Sequence, residues 1–558
     1  LHLGTFNAYQ SIVRGGHIFL TIRIGDHEVR NHGDNLDLLV CLNQDTMDRH
    51  LELMGPGTRI IYNNEMVKVG EPREGALLCG IPVNGLTDSG RNPLVQNTVA
   101  IGATSYLIGL DFQDLADAMT LRFQRQGQAV IDQNVNVARI GFDYAKDNFE
   151  PYSTPLPTGP RPMAVWTGND AVAMGAAAAG VKFYSAYPMS PSSGILHWMA
   201  DNARNLGIMV RQAEDELSAA NMVVGAAHAG TRAMTGTSGG GFALMTEAIG
   251  SAGMMEIPSV FVNVMRAGPS TGVPTKTEQA DLWQALGASQ GDFQRIIVAP
   301  KDALDAFNTM PELFNLVDRY QCPGIVLSDL YIGEGTFSVD PDKIDMHPNI
   351  DRGELILEPA SADGYKRYEN TESGISPRAI PGLEGYVHIV ATDEHDEDSI
   401  LLSDEFTDPH KRRMMVDKRA RKMEDSTTRI APPELEGDDD ADVTLVGWGS
   451  TWGMINEAVE LLSAQGVSAN QLHIKWIVPF HSDVVSDLLS KSKRVIMVEN
   501  NSTAQFYRYM RSETGLTADG YILKYDGEPF MPHHIVEGVL AQIADETDRY
   551  VPVHEIRV

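Results

Sequence analysis

A chain of 558 residues is long enough for about three folding units, each with its own core, and its 75 acidic against 44 basic residues leave it at −31. A surface that negative repels nucleic-acid backbones and anionic lipid, and no uninterrupted apolar run is long enough to span a bilayer; neither nucleic acid nor membrane is expected as a partner, and a soluble, cytoplasmic protein is. The three cysteines, Cys41, Cys79 and Cys322, form no CxxC and cannot frame a disulfide scaffold or a four-cysteine iron–sulfur site within the chain.

The chain opens on Leu1 with no charged-then-apolar leader, and a further N-terminal stretch is expected ahead of it. Over 1–148 short β runs alternate with helical patterns: 37–41 reads as a buried strand, 46–54 as a helix stopped by "GPG", and 59–62 as the next strand. The proline-rich "PYSTPLPTGPRP" then breaks the periodicity and reads as a linker, 149–162. Over 163–340 strands are expected near 181–186, 208–211, 231–235, 259–265, 295–298 and 325–328 with helices between them, the grammar of a parallel sheet covered on both faces. The small residues of "AVAMGAAAAGV" and "NMVVGAAHAG" suit close packing of helix on sheet. Over 341–440 acidic runs flank the basic amphipathic helix "KRRMMVDKRARKME", and the segment reads as a solvated, charged linker carrying one docking helix. The last unit, 441–558, returns to strand "VTLVGWGS", helix "MINEAVELLSAQG", strand "LHIKWIV" and strand "RVIMVEN". The expected fold class is α/β, multidomain, with doubly wound parallel sheets.

In an open parallel sheet, ligands sit beyond the carboxyl ends of the strands, where loops converge and helix N-termini present N–H groups. That rule selects 187–193, 212–216, 237–241 and 266–272. The first, within "AYPMSPSSG", offers the Ser190 hydroxyl on a turn stiffened by Pro188 and Pro191. The second, "RQAEDE", places three carboxylates at a helix start, where capping and dipole compensation account for two. Glu216, at the mouth of the small-residue helix "LSAANMVVGAA", can hold a proton and hydrogen-bond a basic ring nitrogen once desolvated. "GTSGGG" lacks the Lys-Ser/Thr ending of a Walker phosphate loop and reads as a tight turn allowing close backbone approach. Arg266 directly follows the buried strand "SVFVNVM", and its planar fork suits a carboxylate.

These stretches carry a family resemblance. "GNDAVAMGAAAAGVKFYSAYPMSPSS", "QAEDELSAANMVVGAAHAGTRAMTGTSGGG" and "RAGPSTGVPTKTEQADL" resemble the α subunit of the thiamine-diphosphate-dependent 2-oxoacid:ferredoxin oxidoreductases. "SIVRGGHIFLTIRIGD" and "IPVNGLTDSGRNPLVQNTVAIGA" are similar to that family's γ domain, here fused ahead of the α part, so the resemblance covers nearly the whole chain. The family's turn is usually Tyr-Pro-Ile-Thr-Pro; Met189 and Ser190 replace its Ile and Thr, which keeps the hydroxyl and loses the methyl.

The resemblance implies a γ-like unit over 1–148, a pyrimidine-binding unit over 163–340, and thiamine diphosphate shared with a β subunit that brings the diphosphate site with Mg2+ and a 4Fe–4S cluster. Coenzyme A is the implied co-substrate, ferredoxin the implied electron acceptor, and an (αβ)2 pair of heterodimers the implied assembly. A "GDG" followed by a spaced "NN" is absent, as that division of labour requires, and "VENN" at 498–501 reads as a strand end. By the same resemblance Glu216 hydrogen-bonds the cofactor's aminopyrimidine, with Glu214 the competing acid, and Tyr187, Pro188 and Met189 line the cofactor. Arg266 and Ser190 hold the oxoacid, and Lys276 offers a second cation for a distal carboxylate. The implied reaction is the oxidative decarboxylation of 2-oxoglutarate to succinyl-CoA. Pyruvate or a branched-chain oxoacid is the alternative substrate, and a non-catalytic assembly subunit the alternative from another class.

Overall fold

The computed structural model describes residues 1–12, 15–70, 75–87, 90, 92–154, 156, 162–359, 364–402 and 408–556. Residues 155 and 157–161 of the expected linker, and 403–407 of the acidic run, lie outside the described residues. Among the described residues no helix is long and apolar enough to cross a membrane.

A seven-stranded sheet forms the centre, in the order Met209–Gln212, Phe183–Ala186, Ala233–Thr237, Ser259–Met265, Pro323–Asp329, Ile296–Val298, Trp476–Val478. The first six strands are parallel and the seventh is antiparallel. These six are the strands expected from the sequence between 181 and 328. Ser259–Met265 and Pro323–Asp329 are buried at every position, as central strands sandwiched between helices must be. The small residues of Gly168–Ala178 serve a helix–helix contact besides the helix-on-sheet packing expected. A Cβ on Gly175 would lie 2.3 Å from the carbonyl oxygen of Phe307, so the bare glycine lets this helix press against helix Ala303–Tyr320.

The N-terminal unit expected over 1–148 does not close on itself. Strands His2–Ala8 and Phe19–Gly25 join Thr336–Val339 and Ala164–Thr167 in a four-stranded antiparallel sheet, tying the chain's start to the middle unit. The parallel grammar read at 37–62 belongs to a separate three-stranded sheet of Leu38–Cys41, Arg59–Asn63 and Leu77–Ile81, packed against helices Pro93–Leu107 and Gln128–Asn148.

A six-stranded sheet, from Leu435–Gly437 through Ala469–Ile474, Val443–Trp448, Val495–Glu499 and Gly520–Leu523 to Arg549–Tyr550, forms the C-terminal unit. The single strand expected in "LHIKWIV" is split. Lys475 donates to Asp305 at 2.8 Å and Glu312 at 3.1 Å, and its carbonyl accepts from the Ala299 N–H at 2.9 Å. The chain therefore leaves the C-terminal sheet at Ile474 and enters the central one at Trp476.

Among its described residues, the 341–440 segment is anchored on the middle unit by its helix rather than solvated throughout. Its helix Pro409–Arg421 buries Lys418, and Lys422 follows at its C-cap; both ammonium groups reach Glu256, at 2.7 and 3.0 Å. Burial by itself would raise the Glu256 carboxyl, but the two cations outweigh it and hold the group well below the usual carboxylate range.

Candidate active site

The carboxyl ends of Phe183–Ala186, Met209–Gln212, Ala233–Thr237 and Ser259–Met265 lie side by side, and the four loops singled out in the sequence leave the sheet there. In the first loop the turn is pinned from behind. Asn169 Nδ2 donates to the Pro191 carbonyl at 2.8 Å, and Ser192 Oγ donates to the Met189 carbonyl at 2.8 Å. Tyr187, Pro188 and Ser190 are left exposed on its outer side.

At the second loop the three acids separate by environment. Asp215 is the N-cap of helix Glu216–His228 and accepts from the Ser218 N–H at 2.8 Å. Glu214 is exposed and accepts from the Ser218 hydroxyl, which holds its carboxyl below the usual value. Glu216 is 4% exposed, its Oε1 is buried without a hydrogen-bond partner, and burial raises its carboxyl above the usual range. Of the two competing glutamates, only Glu216 is desolvated.

The third loop supplies the wall behind that carboxyl. A Cβ on Gly241 would stand 2.5 Å from Glu216 Oε1 and 2.1 Å from Thr237 Oγ1, so the "GTSGGG" glycine lies directly against both side chains. The Thr237 hydroxyl in turn approaches Met189 Sδ at 3.8 Å.

From the fourth loop, Arg266 Nη1 donates to the Ser190 carbonyl at 2.7 Å. Glu216, Gly241, Thr237, Met189, Ser190 and Arg266 thus form one continuous set. Arg266 is 9% exposed, its Nε is buried without a partner, and burial lowers its pKa. Among the described residues no carboxylate lies within ion-pair distance of it; Asp281 and Tyr9 act on it from farther away. Its fork is therefore available to a carboxylate ligand.

Several groups here were not expected from the sequence. Tyr9, from the N-terminal segment, donates to Glu334 Oε1 at 2.9 Å, and burial raises the pKa of both. Asp281 accepts from Asn263 Nδ2 at 3.0 Å and is raised by burial. Glu278 accepts from the Gly268 N–H at 3.4 Å, and burial pushes its carboxyl up to about 7. Glu278 and Asp281 lie within the quoted "TKTEQADL", where a desolvated acid beside the arginine loop was a readable signal; nothing local marked Tyr9.

Lys276 does not join the set. Its amine forms a buried ion pair with Glu528 of the C-terminal unit, which leaves it no free charge for a substrate. "VENN" ends a strand as expected: Glu499 accepts from the N–H groups of Phe506 and Tyr507, both at 2.9 Å, and from Asn501.

The chain is 32% identical to the 2-oxoacid:ferredoxin oxidoreductase 2 alpha subunit of Aeropyrum pernix over 98% of its own length and 94% of the relative's. It belongs to the 2-oxoacid:ferredoxin oxidoreductase family. Within that family it is 32% identical to the 2-oxoglutarate synthase subunit KorA of Methanothermobacter marburgensis, over 67% of this chain and 97% of that one. The solved 2-oxoglutarate:ferredoxin oxidoreductase from Magnetococcus marinus, with 2-oxoglutarate, coenzyme A and succinyl-CoA bound, superposes with a TM-score of 0.90 at 31% identity, covering 97% of this chain and 94% of that one. Residues 174–415 match the pyruvate flavodoxin/ferredoxin oxidoreductase thiamine-diphosphate-binding model, residues 1–144 the pyruvate ferredoxin/flavodoxin oxidoreductase model, and residues 435–505 the transketolase C-terminal domain. The thiamine-diphosphate-binding match spans all four site loops.

Proposed function

We propose that the chain is the α subunit of a cytoplasmic oxidoreductase that converts 2-oxoglutarate and coenzyme A to succinyl-CoA and carbon dioxide, releasing one proton and passing two electrons to ferredoxin. The observation that carries the reading is the Glu216 carboxyl, buried at a helix start with Oε1 unpartnered, in the same set of contacts as Arg266, whose guanidinium has no carboxylate partner among the described residues. An orphaned buried acid against a glycine face fits the ring nitrogen of a flat heteroaromatic group, and thiamine diphosphate is the cofactor bound by the matched domain family. That cofactor supplies, when bound, a carbon nucleophile and an electron sink for decarboxylation.

The chain's own residues would then act as follows. Burial lets Glu216 keep its proton to higher pH than a surface acid, so it can share that proton with a ring nitrogen. Met189, Tyr187 and Pro188 would flank the cofactor on the turn. Arg266 would take the oxoacid carboxylate, and its bond to the Ser190 carbonyl holds the fork in one orientation, so little order has to be acquired during reaction. The exposed Ser190 hydroxyl would serve the neighbouring ketone oxygen.

Tyr187, Leu217 and Leu244 are exposed, each within three residues in sequence of a site residue, and exposed Val273 ends the loop that carries Arg266. Such an apolar rim suits cover by another polypeptide. A β subunit bearing Mg2+ and a 4Fe–4S cluster, in an (αβ)2 assembly, belongs to the same reading. The substrate follows the relatives named for 2-oxoglutarate. The test is coenzyme A-dependent dye reduction by the complex with its partner subunit, using 2-oxoglutarate, pyruvate and a branched-chain oxoacid. 2-Oxoglutarate should give the highest kcat/KM, and Glu216→Gln should abolish turnover while the complex still assembles. Full activity in that variant removes Glu216 from the mechanism, and a preference for pyruvate removes the assigned substrate.

A further inference from the structure

The loop that carries Arg266 is braced from outside its own unit. Beyond strand Ser259–Met265 the chain runs out through the exposed residues 268–273 and returns. The base of the loop is closed by the Ala267 N–H to the Lys276 carbonyl at 3.0 Å and by the Val273 N–H to the Ala267 carbonyl at 2.9 Å. The returning limb is then fastened to the C-terminal unit at three successive points. Lys276 Nζ pairs with Glu528, with side chains 13% and 7% exposed. The Thr277 N–H donates to the Gly527 carbonyl at 3.0 Å.

Gln279, fully buried, uses every group it has. Its N–H donates to the Asn500 carbonyl at 2.7 Å, its Oε1 accepts from the Asn500 N–H at 3.1 Å, its Nε2 donates to the Trp448 carbonyl at 2.8 Å, and its carbonyl accepts from Asn501 Nδ2 at 3.2 Å.

We infer that Lys276 and Gln279 are positioning residues: through Glu528 and Asn500 the C-terminal unit holds this loop rigid and so sets the bearing of the Arg266 guanidinium toward the oxoacid. The inference rests on the proposed role of Arg266. Lys276 then acts on the substrate only through Arg266. Removing one partner of a buried pair strands the other charge, whereas replacing both with apolar groups of similar volume leaves no charge stranded. Removing the brace lets the loop shift, and a misplacement of about 1 Å is enough to cost a large factor in rate.

The test uses the complex with its partner subunit and the variants Lys276→Met, Glu528→Met, the Lys276→Met/Glu528→Met double, and Gln279→Leu. KM and kcat are measured for 2-oxoglutarate and for the monocarboxylic 2-oxobutyrate, with KM for coenzyme A alongside. Lys276→Met and Gln279→Leu should raise KM for both oxoacids about tenfold and leave KM for coenzyme A within about twofold, and the double variant should return to within about threefold of the parent.

A loss confined to 2-oxoglutarate that the double variant retains overturns the inference, because Lys276 would then contact the distal carboxylate directly. Unchanged oxoacid KM values in both Lys276→Met and Gln279→Leu overturn it as well. Where a single variant fails to assemble, the double variant still decides, since a direct ligand predicts loss and a brace predicts recovery. Arg266→Ala separates the two levels: if it leaves oxoacid KM unchanged, the assignment of Arg266 has failed rather than the brace.

Discussion

Gly241→Ala perturbs the candidate site by one methyl group without removing any polar atom. The new Cβ would stand 2.5 Å from Glu216 Oε1 and 2.1 Å from Thr237 Oγ1, where ordinary contacts begin near 3.4 Å. Both side chains must therefore withdraw by about 1 Å, and Glu216 starts a helix that fixes its Cα. Overpacking of this kind costs about 1–3 kcal/mol of stability. Displacing a catalytic carboxyl by about 1 Å costs on the order of 10²-fold in kcat.

The assay is kcat for 2-oxoglutarate in the assembled complex, paired with the urea midpoint. Introducing Gly241→Ala into a Thr237→Ala/Glu216→Ala background separates the two effects, because both clashing side-chain ends are then gone and the added methyl should cost little further stability while turnover stays lost. A Gly241→Ala enzyme that keeps both parental kcat and parental stability would refute the packing of Gly241 on Glu216, and with it the claim that the carboxyl is held in place.

Arg266→Ala should lower kcat/KM for the oxoacid by on the order of 10²-fold, and Arg266→Lys should recover only part of it because a point charge replaces a two-pronged fork; steady-state kinetics at varied oxoacid checks this. For Glu278, whose carboxyl is raised from 4.5 to about 7 by burial, the folded chain binds the proton more tightly than the unfolded chain. Its contribution is thus full below pH 4.5 and is lost as pH rises toward 7, so Glu278→Gln should flatten the fall in stability between pH 5 and 8 measured by urea melts. Glu256→Gln leaves Lys418 and Lys422 buried with no counter-charge and should destabilise the chain by about 3–5 kcal/mol, whereas a triple change of Glu256, Lys418 and Lys422 to apolar residues should recover most of it in the same urea assay.

How far the site was readable depended on whether a residue's role was local. Glu216 announced itself by standing before a run of small residues, and Arg266 by following an apolar strand, since the end of a buried parallel strand is where side chains meet ligands. Ser190 could be placed on a stiff turn, although the contact found there is its carbonyl to Arg266. Lys276 misled because a lysine near the arginine loop looks free in sequence; its partner, Glu528, lies 252 residues away. Tyr9 left no trace for the same reason, with Glu334 separated from it by 325 residues.

The sequence by itself determined the six parallel strands between 181 and 328, the loops that open at their ends, and the acid and the arginine placed on those loops. These are properties of short windows: apolar runs, glycine turns and helix starts read the same in any context. Only the tertiary structure decided that strands His2–Ala8 and Phe19–Gly25 complete a sheet with strands near 165 and 337, that "LHIKWIV" is shared between two sheets, and that a charged segment anchors two buried lysines on Glu256. Each depends on a partner far along the chain, such as a carboxylate for a buried ammonium or an open edge for a strand, and pairing across such distances is set by packing of the whole molecule rather than by local preference.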